Sequence, residues 1–127
     1  MMKLKNLQLL LSSLVVIAVS FIYGGNPQKI LPLIFDFEVQ NLELKNIFRS
    51  IMGLYITIGL YWLYGVYEVT YWKSATTSNI IFMAGLAFGK LVSLFLDGFS
   101  LLYSIGMLLE CAMAVWGYYN LKNYGHF

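Results

Sequence analysis

Four ionisable residues stand inside or beside long apolar stretches of the sequence: Arg49, Lys90, Asp97 and Glu110. If those stretches span a membrane, each charge needs a partner or water, because an isolated charge at the bilayer centre costs at least about 2.5 kcal/mol. An acid and a base that share a cavity could carry a proton, hold an anionic headgroup or bind a small polar ligand. The residue types alone do not choose among these kinds of chemistry.

The same four residues also permit a purely structural interpretation. A buried salt-bridge cluster can set the register of packed helices without any further role. Intramembrane ionisable residues are nevertheless functional-site candidates by default, and four charges exceed what packing requires in so small a chain. Both interpretations stay open at this point.

The composition indicates which elements must position these charges. The chain has 127 residues, of which 60% are hydrophobic and 11% charged, whereas a soluble domain carries about 25% charged residues. A soluble core of this size could not bury so much apolar surface. Four membrane helices of about 20 residues each account for the length. We therefore predict a single integral membrane domain over residues 1–127, with an all-α fold built as a four-transmembrane-helix bundle.

The predicted spans cover residues 4–23, 45–67, 77–96 and 101–121. A basic start followed by an apolar run also resembles a signal peptide in the first span, but the run is long enough to be a retained helix. The stretch after it contains Pro27 and Pro32 and is too short to span as a helix, so we predict a short interfacial segment there. We predict a loop over residues 72–79 and a tight turn over residues 97–100.

This topology brings the four charges to similar depths in one half of the bilayer. At 1.5 Å per residue, Lys90 lies about 10 Å deeper than Asp97. Glu110 lies roughly 14 Å from the same surface, and Arg49 about 6 Å from it. We therefore predict a charge cluster in which Glu110 bridges Lys90 or Arg49, with Asp97 near its mouth. Whether the cluster binds a ligand or only joins helices is left open.

Small residues on the third predicted helix suggest close helix packing. Gly85 and Gly89 form a GxxxG pair, and small side chains allow two helices to approach closely. We expect this pair to pack within the bundle, and a homodimer face is the alternative.

Other function classes receive little support. Eight Lys and Arg against six Asp and Glu leave a net charge of +2, too small for a nucleic-acid footprint. Cys111 stands alone in an apolar run and is interpreted as a small packing residue. His126 is expected in a solvated tail with no second histidine, so neither a metal site nor a cofactor is expected. The sequence has no HExxH, GxSxG or GxGxxG motif, and we predict that the protein is not an enzyme.

Several short motifs occur together: GGNP followed by LP, then NIFRSIMGLY, GKLVSLFLDG and a Glu on the last helix. From Gly24 to Glu110 the chain resembles an uncharacterised bacterial family of four-helix integral membrane proteins, a domain-of-unknown-function family that is loosely DoxX-like. The position of Lys90 on the third helix is usually Arg in that family. The ammonium of Lys90 is a point charge, whereas the guanidinium of Arg is planar and can bind a carboxylate through two bonds. The resemblance implies the fold but no activity, and the matched positions are Asn46, Arg49, Gly53, Lys90, Asp97, Gly98 and Glu110.

Two roles follow from these features. The short loops favour an accessory or structural subunit of a larger membrane assembly. The alternative is a small ligand-binding or transport protein that uses the charge cluster, either alone or as a homo-oligomer. Basic residues are more numerous on the side of the predicted N-terminus, so we expect a bacterial inner membrane protein with both termini in the cytoplasm.

Overall fold

A computed structural model describes residues 3–125 as five helices and connecting turns. Four of the helices are long and apolar enough to cross a membrane, which confirms the predicted all-α bundle of four spans. We call the face that carries the start of the first helix the near face and the opposite one the far face. The helices are α1 (Leu4–Gly24), α2 (Pro27–Ile34), α3 (Leu42–Tyr67), α4 (Val69–Leu96) and α5 (Leu101–Tyr124).

The first helix is the centre of the bundle. It packs most extensively against α3 and also contacts α2, α4 and α5, whereas α5 packs mainly against α4. A core cluster fills the near half, where Leu9 and Val16 of α1 meet Trp62, Trp72 and Met83. Helix α5 contacts α1 much less than it contacts α4, and the space between α1 and α5 becomes part of the site described below.

Helix α4 begins earlier than predicted. A single residue, Glu68, separates α3 from α4, so the loop predicted over residues 72–79 is wrong. The polar side chains there suggested a loop, yet the buried positions recur at helical spacing and face the core. These buried positions are Trp72, Ala75, Thr76 and Asn79.

Close helix contacts use glycines other than the predicted pair. A Cβ on Gly59 would lie 2.7 Å from Ile17 of α1, and a Cβ on Gly65 would lie 2.5 Å from the Cβ of Ala75. By contrast, a Cβ on Gly85 or Gly89 would have no neighbour within 4 Å in the described part of the chain. The expected packing of Gly85 and Gly89 within the bundle is therefore wrong, because Gly85 is exposed and Gly89 borders open space beside α5. The homodimer alternative stays a prediction.

The segment between the first two spans crosses the far end of the bundle, where an interfacial segment was predicted. Pro27 occupies the first turn of α2, where its missing N–H leaves no bond unmade. Leu31 and Val39 are fully buried. The Phe35 ring stacks between Tyr23 and Tyr103, at centroid distances of 6.2 and 5.6 Å, so this segment covers the far ends of α1 and α5.

The tight turn over residues 97–100 joins α4 to α5 as predicted. Gly98 has a φ of 116°, a left-handed conformation that glycine adopts without a steric penalty. Ser100 follows as the N-cap of α5, and its side chain accepts a bond from the backbone N–H of Tyr103. The short turn makes α4 and α5 antiparallel neighbours, which brings the last turns of α4 beside the first turns of α5.

Candidate functional site: an ion pair between two cavities

An ion pair joins α4 to α5 in the far half of the bundle. The Nζ of Lys90 donates to both carboxylate oxygens of Glu110, each at 2.7 Å. The two side chains are only 22% and 14% exposed. Gly106 stands one helical turn before Glu110, and a Cβ there would lie 3.6 Å from the Cε of Lys90. A methyl group at position 106 would therefore only touch the lysine stem, whereas a larger side chain would extend toward it.

An aromatic side chain flanks the ion pair. The Nζ of Lys90 lies 5.8 Å from the ring centroid of Tyr103, within the range of a cation–π contact. Tyr103, Gly106 and Glu110 follow one another at helical spacing and share a face of α5. The contact of Phe35 with Tyr103 then connects this face of α5 to the segment that covers the far end.

An apolar cavity of about 320 Å³ lies on one side of the ion pair. Its walls come from α1, α4 and α5, and Phe35 and Tyr55 lie at its edges. Aliphatic side chains make up most of the lining, so Lys90 and Glu110 supply its charged end. We call this space the apolar cavity; its aliphatic wall includes Val15, Val16, Val19, Ile22, Met83, Leu86, Leu102 and Leu109.

A second cavity, of about 180 Å³, lies between α4 and α5 toward the far face. We call it the polar vestibule, because Lys90 and three serines stand among its lining residues, beside apolar residues such as Leu94 and Met107. Lys90 and Tyr103 line both cavities, whereas Glu110 lines only the apolar one. The lining of the vestibule is Gly89, Lys90, Ser93, Leu94, Gly98, Ser100, Tyr103, Ser104 and Met107.

Arg49 lies at the far end but is not part of this cluster. Its Nη1 donates to the backbone oxygens of Gly24 and Gly25, at 2.5 and 2.9 Å. Those oxygens belong to the C-terminal end of α1, where carbonyls lack helical partners and a cation is favoured. The predicted bridge from Glu110 to Arg49 is therefore wrong: α3 packs on α1 and α4, and Arg49 secures the end of α1.

Asp97 is also separate from the ion pair. The hydroxyl of Ser93, one turn earlier on α4, donates to the Asp97 carboxylate at 2.8 Å. Asp97 is exposed at the far face beside residues that line the polar vestibule. The structure thus brings together Lys90 and Glu110 of the four predicted charges, with Asp97 near the vestibule and Arg49 elsewhere.

Comparison with known proteins gives one match. A family model, Domain of unknown function (DUF4345), matches residues 4–121, which include all four membrane spans and the ion pair. The chain belongs to the DUF4345 family. No curated protein and no solved structure matches it.

The near half of the DUF4345 bundle contains a buried polar group that the sequence reasoning missed. The Nε2 of Gln8 on α1 donates to Asn79 of α4 at 2.7 Å and to the backbone oxygen of Met113 of α5 at 3.0 Å. Gln8, Ser12 and Asn79 are fully buried. A signal was present, since Gln8 and Ser12 stand four residues apart within an apolar run, and uncharged polar side chains in spans often join helices.

Two predictions about single residues end differently. Cys111 is exposed on α5, so its interpretation as a packing residue is wrong; in a bundle that spans a bilayer this face meets lipid. His126 lies outside the described residues of the DUF4345 chain.

Proposed function

We propose that this DUF4345 protein binds a small amphipathic molecule from the bilayer. The apolar body of the ligand would occupy the apolar cavity, and its polar head would contact Lys90 and Glu110. The observation that carries the proposal is the ion pair at the charged end of an otherwise largely apolar cavity of about 320 Å³. Ligand sites are typically cavities of at least about 300 Å³ whose lining is mostly apolar, with a few polar groups that fix the orientation of the ligand.

The exposure of the cavity wall supports entry from the lipid. Val15 of α1 is 54% exposed, and Leu109 of α5 is 63% exposed, although both line the cavity. Their helices contact one another less than either contacts its main partner. An apolar molecule dissolved in the bilayer could therefore enter between α1 and α5 without crossing the aqueous face.

The charges at the site indicate the chemistry of the head. Lys90 and Glu110 together are electrically neutral, so a head with a net charge would leave one of them unpaired, at a cost of several kcal/mol. The ammonium has three donors, of which two bond to Glu110. A neutral head with a hydroxyl or carbonyl oxygen fits the remaining donor.

Native mass spectrometry of protein extracted with minimal delipidation tests this proposal. We expect the unchanged protein to retain a defined small molecule. Gly106→Leu should displace it by filling the cavity, and Glu110→Gln should weaken its retention. Two matched controls should keep it: Gly85→Leu, on the outward face of α4, and Glu38→Gln, in the exposed loop before α3. Retention by both site variants, or no retained molecule in the unchanged protein, would refute the proposal.

A role as an accessory or structural subunit is a second candidate. The exposed Gly85 and Gly89 offer a face on which another membrane helix could pack closely. The same spectra separate the two functions, since a different protein bound at fixed ratio and lost in Gly85→Leu would favour the subunit role. A retained homo-oligomer would instead assign that face to a second copy.

We also propose a bacterial inner membrane location with the near face in the cytoplasm. Basic residues near helix ends favour the cytoplasmic side. Reporter fusions after residue 125 should show activity of a cytoplasmic reporter, and activity of a periplasmic reporter would reverse the orientation. Lys3, Lys5, Lys73 and Lys122 lie toward the near face, against Lys29, Lys45 and Arg49 toward the far one.

A further inference from the structure

We propose that the polar vestibule carries water from the far face to the Lys90–Glu110 ion pair, and that the near face has no such access. The ion pair would then be wetted from one side of the membrane and meet the apolar cavity on its other side. This inference concerns the route of water and small hydrophilic solutes. It does not depend on the proposed ligand.

The vestibule connects two depths of the bundle. Its outer residues, Gly98 and Ser100, belong to the turn at the far face. Its inner residues include Lys90 and Met107. Met107 follows the start of α5 by six residues, which places it about 9 Å below the far end of the helix at 1.5 Å per residue. The space therefore extends from the turn at the far face to Lys90.

The wall of the vestibule suits water. Water occupies a cavity when it finds room and several polar partners, and each molecule takes about 30 Å³ in the liquid. The vestibule has about 180 Å³, enough for several molecules. Ser93, Ser100 and Ser104 line it, and Lys90 belongs to its inner part. Asp97, which accepts a bond from Ser93, adds a charged group at the outer end.

A layer of apolar side chains separates the ion pair from the near face. Val16, Trp62 and Met83 are at most 5% exposed and belong to the core cluster. Val16 and Met83 also line the near end of the apolar cavity. The buried amides of Gln8 and Asn79 lie on the near side of this layer. Water from the near face would have to pass the apolar layer to reach the ion pair.

Cysteine accessibility in proteoliposomes tests the inference, in a Cys111→Ser background that removes the exposed native thiol. The probe is a membrane-impermeant, charged methanethiosulfonate reagent applied to either side. Met107→Cys places a thiol in the vestibule, and Leu108→Cys places one on the exposed neighbouring face at almost the same depth. Phe99→Cys at the far-face turn and Thr70→Cys near the near face serve as markers of the two sides.

We expect Met107→Cys to react on the order of tenfold faster than Leu108→Cys, because apolar surroundings disfavour the reactive thiolate. The faster reaction should come from the side on which Phe99→Cys reacts. Equal rates for the two variants would overturn the vestibule as a water path. Reaction of Met107→Cys from the side of Thr70→Cys would overturn its one-sidedness.

A second pair keeps the test valid if Met107→Cys does not fold. Ser104→Cys exchanges one atom of the vestibule wall, and Ile105→Cys is its lipid-facing neighbour. The same difference in rate and the same side are expected, and equal rates again contradict the inference. Because these rates need no bound ligand, failure of the water path and failure of ligand retention are separate results.

Discussion

The Nζ of Lys90 and the carboxylate of Glu110 meet at 2.7 Å between α4 and α5, with Tyr103 beside them. Lys90 of this pair lines two cavities of different polarity, whereas Glu110 lines only the apolar one. A bond that only joined two helices would not require space on both sides. The contents of each cavity therefore bear on the role of the ion pair.

The ion pair should contribute to stability as a unit. We expect Lys90→Met to lower the free energy of unfolding by about 2 kcal/mol, somewhat less than the loss for a fully buried pair, because Glu110 keeps some exposure. The double variant Lys90→Met/Glu110→Gln should recover much of that loss, since no unpaired charge remains. Equilibrium unfolding in mixed micelles measures the double variant and its two single variants, with Lys29→Met as a surface control. A double variant as unstable as the sum of its singles would contradict this account.

Arg49 should matter for the end of α1 and not for the site. Arg49→Ala removes the donor to the Gly24 and Gly25 carbonyls, and we expect a loss of about 1 kcal/mol in unfolding free energy, at the low end for charged donors because the side chain is exposed. Ser50→Ala, whose hydroxyl bonds within its own helix, is the matched control. Loss of a retained small molecule in Arg49→Ala, without loss of stability, would show that Arg49 serves the site after all.

A glycine at a helix contact, Gly65, and an exposed one, Gly85, should respond in opposite ways to the same substitution. Gly65→Ala would place its methyl group 2.5 Å from the Cβ of Ala75, and we expect a loss of about 1–3 kcal/mol from overpacking. Gly85→Ala meets open space, so we expect a gain of about 0.5–1 kcal/mol from the higher helix propensity of alanine. Thermal unfolding of the two variants under identical detergent conditions gives the comparison. Equal effects would mean that α3 and α4 are not packed at Gly65 as described.

Removing one of the two buried amides of the near half should cost more stability than removing both. Gln8→Leu leaves the Asn79 carbonyl without its donor, and we expect a loss of about 1–2 kcal/mol. Adding Asn79→Leu should restore part of that stability, because neither polar partner then stays buried alone. Gln28→Leu on the exposed face of α2 is the control, and all four proteins are compared by denaturant unfolding. Further loss in the double variant would show that Asn79 has another essential partner.

Depth and helical spacing alone limited the predicted partners of Glu110 to Lys90 and Arg49. Asp97 and the turn after it set the depth of both residues, because the helix rise per residue is constant. Arg49 satisfied the same depth criterion, yet it bonds to the end of α1. The depth of a residue in the membrane follows from counting residues along its helix. Which other helix lies beside that residue depends on which helix faces fit together.

The Gly85–Gly89 pair and the stretch over residues 72–79 illustrate the same division. A GxxxG pattern indicates that close approach of two helices is possible, but a partner surface must also be present. Gly59 and Gly65 lie against such a surface, whereas Gly85 does not. Polar residues from Lys73 to Asn79 suggested a loop by local composition. Their helix is maintained because Trp72, Ala75 and Asn79 fill the core at helical spacing.

The sequence by itself determined the membrane class, the number of spans, the turn at residues 97–100 and the depth of each charge. These properties follow from hydropathy, backbone preference and helix rise, which act over a few neighbouring residues. Only the tertiary structure decided that Lys90 pairs with Glu110, that Arg49 does not, and that two cavities flank the pair. Those properties depend on the shapes of side chains far apart in sequence, because packing is a property of surfaces that meet and not of any segment alone.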